Sequence, residues 1–366
     1  MNNPAPLPIS YHLTGHVLKG GWKVTRRLPR PGEQGAENAT GGNFSVCYVC
    51  EKEGKTGFLK VFDIMSATQA PDFMAELQKI SGRFNHEAAL LKVCADEKLS
   101  RIVRGVETDT LQIAAPEFNN LKIPLCYIIF EQADGGDIRN MITRIGAIED
   151  AAKLTMLHQV AVAIQQLHTV NIAHQDMKPS NVLLFEKSGE GAKLADLGRA
   201  SLRGRDSEHD GYSVAGDSTY APPEQLYGYK PADWHERREA CDLYQFGSLL
   251  CYLFAARCAT AGIFSYVSRE YWPQYWRGTY ADVLPFLQQG FAHFLEEVAV
   301  HLPEWGREKL IAIVRQACDP DVHRRGDSKA RLQVTHPLGL DRFVSRMSGL
   351  KTLAMVEARK AALGSA

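Results

Sequence analysis

Between positions 174 and 181 the chain reads His-Gln-Asp-Met-Lys-Pro-Ser-Asn, and one short hairpin later it reads Leu194-Ala195-Asp196-Leu197-Gly198. An Asp two residues before a Lys and five before an Asn is the layout of a phosphoryl-transfer loop. Asp176 can orient an attacking hydroxyl, Lys178 can neutralise the moving phosphoryl, and Asn181 can hold Mg²⁺. Asp196, on its Asp-Leu-Gly turn, can bridge Mg²⁺ to phosphates. The loop alone leaves the acceptor open.

Composition sets the frame. The chain has 366 residues, 45% of them hydrophobic, enough to bury a sizeable core as one large two-lobed unit or two domains. Lys+Arg and Asp+Glu are equal at 42 each, so no global field points to nucleic acid or an anionic membrane. The start, Met1-Asn2-Asn3-Pro4, lacks the basic and apolar regions of a signal peptide. The apolar run Leu249–Ala256 is far short of the ~20 residues that span a bilayer. Of the eight cysteines, Cys47 and Cys50 make a C-x-x-C inside a strand-like run. Period two points them to opposite faces, which favours packed thiols over a zinc site. The expectation is a cytoplasmic protein.

Trp22–Leu28, Phe44–Cys50 and Phe58–Phe62 alternate like strands, with turns between them. Phe84, Ala88 and Leu91 have helical spacing, Tyr127–Glu131 reads as a strand, and residues 150–170 read as a buried helix ending just before His174.

With the loop and turn at 174–198, this order resembles the protein kinase family. Small-molecule phosphotransferases share a related loop, but they lack two later elements. One is Gly216–Glu224, similar to G-T-x-x-Y-x-A-P-E with Asp217 at the Thr position. The other is Cys241–Gly247, similar to the central large-lobe helix, whose Asp, here Asp242, anchors the catalytic loop. The resemblance implies an α+β, two-lobed protein kinase fold, with a β-rich small lobe and a helical large lobe. Its boundaries are expected at 1–20 (extension), 21–131 (small lobe), 132–346 (large lobe) and 347–366 (a frayed helical tail).

By the same resemblance, Gly42 and Phe44 belong to a Gly-rich loop over the phosphates. The family's first and third glycines fall at Thr40 and Ser45, its Val at Cys47, roofing adenine, and its Ala at Phe58, where a ring narrows the nucleotide pocket. Lys60 would grip the phosphates, fixed by Glu87 in preference to Glu76, which makes 66–83 an insertion. Phe130 would guard the adenine pocket. Glu131 and Ala133 would offer it backbone groups, and Asp137 would lie near the ribose. His174 is expected to pack and hydrogen-bond the loop, not to act as a base. Glu224 should pair with Arg324 or Arg325.

The function implied is transfer of the γ-phosphoryl of MgATP (Mn²⁺ being the alternative ion) to protein Ser/Thr hydroxyls, because Lys178 stands where tyrosine kinases usually carry Ala. The catalytic set is Asp176, Lys178, Lys60 and Glu87, with Asn181 and Asp196 on the metal. The rivals are a pseudokinase scaffold, favoured by the eroded loop and Phe58, and a small-molecule phosphotransferase. The implied partner is a protein substrate, with autophosphorylation open to the enzyme and neither nucleic acid nor a membrane segment involved. Gln175 replaces the family's usual Arg before Asp176, so activity should not need activation-segment phosphorylation. Control is then sought at 66–83 or in the aromatic stretch 271–276, which otherwise belongs to the core.

Overall fold

Apolar–polar alternation before residue 132 becomes a five-stranded antiparallel sheet in the computed structural model, which describes residues 8–30, 33, 45–64, 67, 70–115, 121–332 and 338–364. The strands are β1 (Lys23–Arg27), β2 (Ser45–Lys52), β3 (Lys55–Phe62), β4 (Gly105–Ala115) and β5 (Leu121–Glu131), in the order β1-β2-β3-β5-β4. The chain divides into two compact units, Met1–Lys98 with Val103–Ala133, and Leu99–Ile102 with Asp134–Ala366.

In the first unit the β2–β3 register sets Cys47 across from Lys60 and Cys50 across from Gly57. Directly paired residues share a face, so the two thiols lie on opposite faces and cannot share one ion. The face with Tyr48, Cys50, Leu59 and Ile129 is covered by the chain before β1. Leu13, Leu18 and Trp22 are buried there. Tyr48 Oη donates to Ser10 O at 2.5 Å and Ser10 Oγ to Asp63 Oδ1 at 2.8 Å. A Cβ on Gly57 would lie 3.1 Å from the Trp22 ring and 2.9 Å from Ile129, so glycine there permits the close approach. Residues 8–22 thus pack as part of this unit.

Helix α1 (Phe73–Asp96) lies on the other face, where Phe84 meets Phe62 edge-on with centroids 5.4 Å apart. The stretch expected as an insertion is in part helical: residues 73–83 are the first three turns of the helix that carries Glu87, capped by Asp72, whose carboxylate accepts from Ala75 N at 2.9 Å. The cap satisfies one of the first turn's orphan N–H groups. Phe73 and Met74, on this added length, are exposed.

The second unit is helical: α2 (Asp150–Thr169), α3 (Pro223–Leu226), α4 (Ala240–Ala255), α5 (Ala259–Phe264), α6 (Tyr280–His301), α7 (Arg307–Ala317) and α8 (Leu340–Gly364). Every α4 residue from Ala240 to Phe254 is buried. Two small antiparallel pairs, β6 (Ile172–Ala173) with β9 (Ser201–Leu202) and β7 (Val182–Phe185) with β8 (Gly191–Leu194), carry the loops at 174–181 and 195–200. The described part of the expected frayed tail continues α8, and Met347, Leu350 and Ala354 in it are buried. In the stretch 271–276, Tyr271 stacks on Phe286 with centroids 3.8 Å apart, and Trp272 Nε1 donates to Val267 O at 2.9 Å. Tyr275 is 57% exposed, so the cluster is only partly core.

Candidate active site

The loop at 174–181 is held by buried polar groups from α4. Asp242, fully buried, accepts from His174 N at 2.7 Å and Gln175 N at 2.8 Å, and His168 Nε2 lies 2.8 Å from the same carboxylate. Gln245 brackets the next peptide, donating to Gln175 O at 3.1 Å and accepting from Met177 N at 2.9 Å. In a dry interior each such group would otherwise cost ~1–3 kcal/mol unpaired. His174 receives Asp176 N on Nδ1 at 3.3 Å, which puts its own proton on Nε2, 3.0 Å from Ala195 O. It therefore ties this loop to the Asp196 turn.

Two non-glycine residues here are left-handed, Gln175 with φ 66° and Asp196 with φ 63°. Such conformations cost ~1–3 kcal/mol each and persist only where surrounding contacts over-determine them. The Asp242 and Gln245 bonds supply that at Gln175.

Three further neighbours set Asp176. Asp217 N donates to Oδ1 at 2.8 Å, Lys178 Nζ lies 3.1 Å from Oδ2, and Asn181 Nδ2 donates to its carbonyl at 2.8 Å. Gly216 allows the approach, since a Cβ there would lie 2.5 Å from Gln175 O and 2.6 Å from Asp176 Oδ1. Burial pushes the Asp176 carboxyl above the usual carboxylate range; Lys178 opposes this and Asp196 adds to it. Burial would lower the Lys178 ammonium, but Asp176, then Asp217 with Oδ2 at 3.5 Å, outweigh it and hold it up. Lys178 is thus a fixed cation between two carboxylates.

Asn181 and Asp196 carry side-chain oxygens that could hold a metal ion. The bond from Asn181 Nδ2 to the Asp176 carbonyl turns its Oδ1 away, and the Asp196 side chain is exposed. Hard oxygen ligands of this kind suit Mg²⁺ or Mn²⁺, so these residues fit the ion.

In the first unit, Lys60 Nζ meets both Glu87 oxygens, at 3.0 and 2.8 Å, and Glu87 is buried. Glu76, the competitor, pairs instead with Lys79. Cys47 is on the Lys60 face of β2, and Phe130 is buried on β5, 6.3 Å from the Phe58 ring. The Glu131 carboxylate is held by Arg104 at 3.0 Å, and Ala133 O accepts from Gln132 Nε2 at 3.0 Å. In the second unit Asp137 is buried and accepts from Asn140 N at 3.1 Å and Arg139 at 3.2 Å. Gly42 and Phe44 lie outside the described residues.

The choice between Arg324 and Arg325 resolves clearly. Arg325 has no side-chain exposure and meets Glu224 through two nitrogens, at 2.8 and 2.9 Å, while Arg324 is 66% exposed and 3.7 Å from Asp319. Sequence reading missed Gln245 and Arg238. A signal for Gln245 existed, since it is a polar residue one turn after Asp242 in an otherwise apolar helix.

The protein kinase domain family matches residues 41–273, well over half of the chain. The serine/threonine-protein kinase RAD53 of Saccharomyces cerevisiae is 25% identical over 240 residues, 62% of this chain and 29% of that protein. The serine/threonine-protein kinase DCLK1 of Rattus norvegicus is 35% identical over 116 residues, 30% of this chain and 25% of that protein. Aurora kinase B of Danio rerio is 33% identical over 130 residues, 34% and 36% of the two chains. The aligned part thus spans little more than a third of these relatives at most. Among the described residues no helix is long and apolar enough to cross a membrane. The extent of the family match, together with a β-sheet unit and a helical unit in the expected order, shows that the chain belongs to the protein kinase domain family.

Proposed function

We propose that the chain is an ATP-dependent serine/threonine protein kinase, moving the γ-phosphoryl of ATP to a protein hydroxyl. The observation that carries this reading is the seating of Asp176 between Asn181, Lys178 and the Asp217 backbone. Such a carboxylate can accept a hydrogen bond from an acceptor hydroxyl and aim it, while Lys178 steadies the charge of the phosphoryl in transit. Preorganised positioning and charge of this kind supply most of the catalysis in phosphoryl transfer. Asn181 and Asp196 would hold the divalent ion, Mg²⁺ before Mn²⁺, which neutralises phosphate charge when bound. Lys60, fixed by Glu87, would hold the α- and β-phosphates. Gly42 and Phe44 would close over them, with Cys47, Phe130, Glu131 and Ala133 about the adenine and Asp137 near the ribose. Lys178 and the relatives' names both favour Ser/Thr acceptors. The eight free cysteines support a reducing compartment, the cytoplasm.

The test is incubation with γ-labelled ATP and Mg²⁺, with and without dephosphorylated casein. Label in casein or in the enzyme's own Ser/Thr residues is the expected result. Label confined to small molecules would move the chain to the phosphotransferases. Nucleotide binding without any transfer would make it a scaffold, the reading that Phe58, beside Phe130, favours.

A further inference from the structure

The segment after Asp196 is folded around one carboxylate. Asp210, in the helical turn Glu208–Gly211, accepts on Oδ2 from Ser207 N and Ser207 Oγ, both at 2.8 Å, and on Oδ1 from Ser201 Oγ at 2.5 Å. Its fourth partner is Arg238, which donates through Nη2 to Oδ1 at 2.7 Å and to the Asp210 carbonyl at 3.1 Å. The Arg238 side chain is 4% exposed. Its other terminal nitrogen donates to Gln175 Oε1 at 3.2 Å, and Gln175 Nε2 donates back to the Arg238 carbonyl at 2.7 Å. Gln175 is the left-handed residue directly before Asp176.

A neutral Gln175 could not dock a charged segment by itself. The structure supplies the missing cation from elsewhere in the fold, 63 residues further along the chain, and supplies the anion from the segment's own sequence. The arrangement stands as a phosphorylated segment would, one anion on one buried guanidinium that also holds the anion's own backbone carbonyl, but the charge is genetically fixed.

We propose that Asp210 and Arg238 form a permanent latch that orders the segment at 199–215 and, through Gln175, positions Asp176, so that neither phosphorylation nor an added partner is needed to set it. The inference rests on the kinase reading above, but the latch has a readout of its own. Trypsin can cut after Arg203 and Arg205, which lie in the latched segment, and native-state cleavage follows the population of the open form.

Asp210→Asn removes the charge with little change of shape. It is expected to speed cleavage at Arg203 and Arg205 at least about tenfold. It should lower kcat on casein by about 10²-fold, as misplacement of a reacting group does, and leave the affinity for MgATP essentially unchanged. Asp210→Glu should restore part of the resistance. Arg238→Lys keeps the charge but loses the fork, and should act in the same direction. A merely structural role would lower the melting temperature without this split between kcat and nucleotide affinity. Wild-type cleavage rates in both Asp210→Asn and Arg238→Lys would overturn the proposal. So would phosphatase treatment of the wild type that opens the segment as far as Asp210→Asn does. A wild type that labels no protein would sink the kinase reading, while the cleavage rates would still decide the latch.

Discussion

Arg325→Ala is expected to destabilise the helical unit by ~3–5 kcal/mol, the usual cost of leaving one charge of a buried pair alone. The geometry gives no route of escape. Glu224 sits 4% exposed with both oxygens on Arg325, and the guanidinium also donates to Ala240 O at 3.2 Å and Asp319 O at 3.0 Å. Removing it strands a buried carboxylate and takes a donor from each of two carbonyls. Arg324→Ala removes an exposed charge beside Asp319, a contact worth ~0–1 kcal/mol. Thermal melts of the two variants should therefore separate clearly, with only Arg325→Ala moving far. Equal melting temperatures would show that the buried pair does not hold this part of the fold together. Replacing both partners by apolar residues should be milder than either single change, because no lone charge remains.

Asp176→Asn should cost ~10²–10⁴-fold in the rate of transfer, the span associated with a positioned acid–base group, while MgATP still binds. Asparagine keeps the contact of Asp217 N to Oδ1 but offers Lys178 and the acceptor hydroxyl no charge. Asp196→Ala should differ in kind, losing both transfer and Mg²⁺-dependent nucleotide affinity, since the proposed metal ligand goes with it. Calorimetry with Mg²⁺ present makes the distinction. Unaltered ATP affinity in Asp196→Ala would remove Asp196 from the metal site, and full activity in Asp176→Asn would remove Asp176 from the chemistry.

The loops at 174–181 and 196–198 were legible because phosphoryl transfer demands particular residue types at close spacing, and those survive in any reading of the chain. The pairing of Lys60 with Glu87 needed an ordering argument, because Glu76 is nearer in sequence. The first half of α1 was not legible. Phe73 and Met74 are exposed, so residues 73–83 carry no clean apolar stripe, and the helix there rests on the Asp72 cap. Strand β4 was missed for a related reason: as an edge strand most of its side chains are only half-buried or exposed, and the alternation is weak. Arg238 and Asp210 are 28 residues apart, and nothing local ties one to the other. Position 175 announced that a cation was missing; only the fold says where its replacement comes from.

The cover over the first unit's sheet has a practical corollary. The family match begins at residue 41, yet Ser10, Leu13, Leu18 and Trp22 are buried, and Tyr48 and Asp63 complete their hydrogen bonds with Ser10. A fragment trimmed to the family boundary would lose β1 as well, turning β2 into an edge strand with an uncovered apolar face. Bare edges and bare faces of this kind invite pairing with other chains. Where likeness to relatives starts is therefore not where this polypeptide becomes able to stand alone in water; the recombinant fragment worth making starts upstream of residue 8.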